Sequence, residues 1–147
     1  MANYQNVLIA VDLSGDRDDA LRTAIERVGA GASLSLVHVL EPAYYYYGME
    51  PALGTLPPSF EEELLDRAKA QLAEVGERCG VPAARQYLER GHAATQILRL
   101  AKDKKVDLVI IGSHGRHGWR LLLGSTANAV LHGATCDVLA VRVPEPS

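Results

Sequence analysis

The sequence has only two cysteines, Cys79 and Cys136, set far apart and in neither a C-x-x-C pair nor a zinc-ligand spacing. That excludes a disulfide framework and a zinc module, and both read as small core residues of a reduced compartment. Polybasic runs are lacking too. Arg and Lys are scattered and the formal net charge is -3, so no strong field draws nucleic acid or an acidic membrane. No stretch approaches the ~20 apolar residues that span a bilayer. Polar Asn3, Gln5 and Asn6 precede Val7-Leu8-Ile9, a run too short for a signal-peptide core. The expected location is the cytoplasm, with neither a nucleic acid nor a membrane as partner. Catalytic constellations are also missing: no paired carboxylates of obvious geometry, no Gly-x-Ser-x-Gly and no Cys–His motif. A binding protein is expected rather than an enzyme.

What the chain does have is a core. Its 147 residues, 48% of them apolar, fit one globular domain spanning the whole chain, 1–147. Folding at this length buries roughly 68–70% of the unfolded surface.

Strand and helix patterns alternate along it. Val7 to Val11 is a continuous apolar run, as in a strand covered on both faces. Ser14 then caps a helix whose first turn holds Asp16, Asp18 and Asp19, with Ala20, Leu21, Ala24, Ile25 and Val28 at helical spacing. Gly29 and Gly31 end it. Leu34 to Leu40 is a second strand. An irregular insertion from Glu41 to Pro58 follows, with Tyr44-Tyr45-Tyr46-Tyr47 and four prolines. It reads either as a lid that stacks on a base or partner, or as a surface loop packed on its own helix.

Ser59 and Glu62 form a capping box for a long helix whose apolar stripe is Leu64, Leu65, Ala68, Leu72 and Val75. Ala84 to Glu89 is a short strand of weak alternation. His92 begins a third helix, marked by Ala94, Ile97, Leu98 and Ala101. Val106 to Ile111 is the cleanest buried strand. A glycine-rich loop leads to a helix from about Ser125 to His132, and Asp137 to Val143 is the last strand. This β-α-β-α-β-α-β-α-β order predicts an α/β domain: a parallel sheet with four helices on its two faces.

In such sheets ligands bind beyond the carboxyl ends of the strands, where the winding reverses. Asp12 follows the first strand. Gly112-Ser113-His114-Gly115-Arg116-His117-Gly118 follows the fourth and leads through Trp119 to Gly124-Ser125-Thr126. The glycines let backbone approach a ligand closely. The unpaired N–H groups and dipole of the next helix suit phosphate. Ser125 and Thr126 add hydroxyl donors, and Arg116 and Arg120 add positive charge. No Walker-type lysine is present, so this is not that P-loop. The plainer reading makes the glycines a tight strand-to-helix connection. His38, inside an apolar strand, reads as structural rather than metal-binding. His114 and His117, in a loop, read as solvent-facing or phosphate-contacting.

Gly112-Ser113-His114-Gly115-Arg116 followed by Leu122-Leu123-Gly124-Ser125 resembles the signature of the universal stress protein family. Ile9-Ala10-Val11-Asp12-Leu13-Ser14, Leu36-Val37-His38-Val39 and Cys136-Asp137-Val138-Leu139-Ala140-Val141 resemble its first, second and last strands. The resemblance implies a doubly wound, Rossmann-like sheet of order 3-2-1-4-5. It implies a homodimer, with Val138 to Val143 the candidate edge, and an adenine nucleotide as ligand. By position, adenine meets backbone at Ala10 and Val39, next to Val11, and Asp12 faces the ribose. Gly112 and Gly115, with Arg116, line sugar and phosphates, and Gly124, Ser125 and Thr126 hold the phosphates. The implied ligand is ATP, with Mg or Mn, or else AMP or ADP. The implied role is a regulatory module of a stress response, with a protein partner of unknown identity. The chain departs from the family's ATP-binding pattern at one point. Eight residues, Arg116 to Leu123, separate Gly115 from Gly124 where the pattern has nine. Two alternatives therefore stand beside ATP binding. One is a nucleotide-free family member acting through protein contacts. The other is a weak ATP-hydrolysing or adenylyl-transferring enzyme.

Overall fold

The computed structural model describes residues 4–13, 18–28, 31–41, 58–112 and 125–141. Five strands form one sheet: β1 (Asn6–Ala10), β2 (Ser33–Leu40), β3 (Gln86–Arg90), β4 (Leu108–Gly112) and β5 (Asp137–Val141). The α-helices among these residues are α1 (Asp18–Val28), α2 (Pro58–Cys79), α3 (Ala93–Asp103) and α4 (Ser125–Gly133). The strand order is β3-β2-β1-β4-β5, and every neighbouring pair is parallel. This is the doubly wound α/β architecture that the alternation and the resemblance lead one to expect.

Alternation along each strand sorts the apolar residues into two cores. Val7, Ile9, Val11, Leu36, Leu108 and Ile110 face Leu21 and Ile25 of α1 and Leu72 and Val75 of α2. Leu8, Val37, Val39, Val109 and Ile111 face Ile97 and Leu100 of α3 and Val130 of α4. Burial on both faces is why the central strands read as unbroken apolar runs. Val7, Leu8 and Ile9 are each 0% exposed. Each such side chain contributes about 1.5–3 kcal/mol relative to exposure.

The amino ends of β1 and β4 are tied by side chains. Asp107 accepts from the backbone N–H of Gln5 at 2.8 Å and of Asn6 at 2.9 Å, and donates its own N–H to Asn6 O. Asn6 Nδ2 in turn donates to Lys104 O at the end of α3. That helix closes in a Schellman motif. Lys105 N–H bonds Lys102 O, Val106 N–H bonds Ala101 O, and Lys105 sits in the left-handed region at φ 54°.

Several local expectations shift. The long helix starts at Pro58, so Ser59 lies inside it rather than capping it; proline suits a first helical position because it has no N–H to leave unpaired. Leu64, expected on the apolar stripe, is 37% exposed, as α2 turns only its later residues fully onto the sheet. Ala84 belongs to a single 3-10 turn, Ala83–Arg85, and the third strand begins at Gln86. Val106, though buried, precedes β4 because its N–H closes the Schellman motif. His92 does begin the third helix, as its N-cap: the ring accepts from Thr95 N–H at 3.4 Å, and the Glu41 carboxylate accepts from Ala93 N–H. Ser14, Gly29, Tyr44 to Tyr47, His114, His117, Trp119 and Val143 lie outside the described residues.

Candidate functional site

The strand order fixes where a ligand crevice lies. From β1 the chain winds outward through β2 to β3, then crosses back to β4 on the other side of β1. The winding therefore reverses between β1 and β4, and a crevice opens beyond their carboxyl ends. These ends are level, since Ala10 pairs with Ile111. One position further on, Gly112 ends β4, half-buried. Asp12 follows β1 with its side chain exposed.

The residues expected to contact a ligand divide by depth. Ala10 is half-buried, whereas Val11 and Val39 are 7% and 9% exposed. The Val11 side chain belongs to one core and that of Val39 to the other, so each offers the crevice backbone rather than side chain. Val11 N–H donates to Val37 O at 2.9 Å. Val11 O accepts from the ring of His38 at 2.8 Å. A carbonyl can only accept, so His38 carries its proton on Nδ1. His38 is thus a structural histidine at the end of the sheet, as its place in an apolar strand predicts.

Helix α4 follows β4 and precedes parallel β5, so it runs back against the strands. Its amino end consequently lies at the carboxyl end of the sheet. Ser125 opens it, exposed, and Thr126 follows, half-buried. The first turn carries no acidic residue, and His132 lies in the last turn. The positive end of the dipole is therefore not neutralised from within the helix, which favours an anion there. Gly115, Arg116 and Gly124 lie outside the described residues. Among the described residues, no cluster of three or more His, Cys, Asp or Glu side chains is placed to hold a metal ion. Among the described residues, no helix is long and apolar enough to cross a membrane.

Taken together, these features define a doubly wound α/β protein with a switch-point crevice. The chain belongs to the universal stress protein family, whose model matches residues 3–142. It is 41% identical over 148 residues to universal stress protein A homolog 2 of Coxiella burnetii, covering 97% of this chain and 98% of that one. Among solved structures, UspA of Lactobacillus plantarum superposes with a TM-score of 0.72 at 27% identity, covering 97% of this chain and all (100%) of that one. A universal stress protein in complex with cAMP matches 97% of this chain and 100% of its own at 23% identity, TM-score 0.64. The Archaeoglobus fulgidus protein in complex with dAMP matches 95% of this chain and 99% of its own at 21% identity, TM-score 0.60.

The sequence pointed to Asp12, Gly112 and the helix opening at Ser125 through the strand-end argument, whereas Ala10 and Val39 came from the family resemblance alone. What it did not show is that His38 engages the β1 terminus. Its one signal was a polar ring in a mostly apolar strand.

Proposed function

We propose that this chain binds an adenine nucleotide in the crevice between β1 and β4 and acts as a homodimeric regulatory module of a cytoplasmic stress response. One observation carries the reading. The winding reversal puts Asp12, Gly112 and the amino end of α4 at one end of the sheet. A carboxylate suits ribose hydroxyls, and a helix amino terminus with Ser125 and Thr126 suits phosphate. Two proteins of the same fold are complexes with cAMP and dAMP, which supports an adenine ligand. ATP is the nucleotide proposed, with AMP or ADP as lesser forms. Mg or Mn is proposed to enter with the phosphates, whose oxygens are the hard ligands such ions take. The role proposed is binding rather than catalysis, because the sequence carries no recognisable motif that would place a water-activating base.

The short loop favours a second reading. With one residue fewer between Gly115 and Gly124, a donor can move by up to ~3.3–3.6 Å, beyond hydrogen-bond tolerance unless the loop re-forms. The chain would then act without nucleotide, through protein contacts. Calorimetry with ATP and Mg separates the two. Saturable binding that is lost in Gly124→Val supports nucleotide binding. Silence at millimolar ATP overturns it in favour of the nucleotide-free reading. ATP turnover above background would make the chain an enzyme.

A further inference from the structure

β1 and β2 part company beside the crevice, and a side chain sits where they part. β1 pairs with β2 from Asn6↔Ser33 to Ala10↔Val37, and the pairing stops there. Val11 N–H still donates to Val37 O. In a parallel ladder the next bond would run from Val39 N–H to Val11 O. Instead that carbonyl takes the His38 ring, at 2.8 Å. β2 meanwhile runs on to Leu40 by pairing with β3, as far as Leu40↔Arg90. Leu40 O accepts from Gly91 N–H, so the Leu40 backbone faces β3. Facing alternates, and the Val39 N–H therefore points the other way, toward the place β1 has vacated. Among the described residues it has no acceptor on β1.

We infer that His38 is a positioning residue of the nucleotide site: by taking the Val11 carbonyl, it stops β1 from zipping onto β2 and keeps the Val39 N–H as a donor to a ring nitrogen of the base. This rests on the nucleotide reading above. The chemistry needs the wedge. A backbone carbonyl at a sheet end seeks a donor, and the register offers it Val39 N–H unless another is supplied. The His38 ring supplies that donor from the neighbouring strand position. It also fixes the plane of the Val11–Asp12 peptide, because that unit is planar and its carbonyl is held. Asp12 thus leaves β1 in a set direction beside the freed N–H.

Two substitutions test it. Asn places an amide N–H where His has Nδ1, whereas Leu fills similar space with no donor. Backbone amide exchange in the ligand-free chain is the first readout. The Val39 amide exchanges quickly in the wild type and in His38→Asn, and at least tenfold more slowly in His38→Leu, where it closes onto Val11 O. The second readout is calorimetry with ATP and with inorganic triphosphate. His38→Leu weakens ATP about tenfold, the loss of roughly one hydrogen bond, and leaves triphosphate unchanged; His38→Asn restores ATP. A protected Val39 amide in the wild type overturns the inference, as does full ATP affinity in His38→Leu. If the wild type binds no ATP at all, the nucleotide reading fails and the base-donor role with it. The exchange measurement still decides whether His38 holds the strands apart.

Discussion

At the scale of single residues, the side chains with the clearest structural work lie at the end of the sheet opposite the crevice. Asp107 is the centre of that end. Burial pushes its carboxyl upward, but the N–H groups of Gln5 and Asn6, with its own N–H, outweigh this and hold it below the ordinary carboxylate value. A depressed carboxyl stabilises the fold at pH values above its unfolded-state pKa of about 3.9. That stability is lost as pH falls through the lower, folded-state value. Asp107→Asn removes the charged form and one acceptor. It is expected to lower stability at neutral pH by about 1 kcal/mol, solvent screening included. It should also flatten the fall in stability below pH about 4. Urea unfolding at a series of pH values checks both; an unchanged acid limb counts against the assignment. Tyr4 reinforces the same end, its hydroxyl donating to Asp137 Oδ2 at 2.7 Å. The hydrogen bond to Asp137 raises the Tyr4 pKa, keeping the phenol protonated and the bond intact well into alkaline pH.

At the scale of elements, legibility in the sequence followed burial. β1 and β4 lie at the centre of the sheet and have apolar residues on both faces, so Val7 to Val11 and the run ending at Ile111 announce themselves. β3 is an edge strand, half-buried along most of its length, and its pattern is correspondingly weak. Helix ends were harder, because a cap is one residue's hydrogen bond rather than a repeating signal. His92 was legible from the glycine before it. The carboxyl end of α3 was not, since its C′ position holds Lys105 where glycine usually marks the stop. A lysine in the left-handed region costs roughly 1–2 kcal/mol, and glycine does not bear that cost. Lys105→Gly is therefore expected to stabilise the chain by about 1 kcal/mol, the gain reduced by glycine's freedom when unfolded. The midpoint of chemical unfolding should rise with an unchanged slope. A lower midpoint would mean that the Lys105 side chain contributes more than its backbone loses. The site itself was legible only as strand ends: Asp12 and Gly112 mark them, whereas the parting of β1 from β2 depends on one ring nitrogen and one carbonyl.

At the scale of the whole molecule, the two sheet edges differ. β3 ends in Glu89 and Arg90, and both charges are engaged, Arg99 with Glu89 at 3.3 Å and Arg90 with Glu61 at 3.2 Å. Charge on an edge discourages pairing with another chain. β5 carries Val138, Leu139, Ala140 and Val141 with no charge after Asp137, and Ala140 is exposed. It is the edge suited to a second copy of the chain, and the proposed homodimer would continue the sheet across it. Two-fold pairing brings the same segment of each subunit together, so a lysine placed there meets its own copy. Ala140→Lys is exposed in the monomer and should leave folding unchanged while weakening dimerisation at least tenfold. Sedimentation velocity over a concentration series reads this directly. The wild type should sediment as a dimer and the variant as a monomer, with matching circular dichroism. A wild type that is monomeric throughout would remove the dimer from the proposed function, and a variant that stays dimeric would move the interface away from β5.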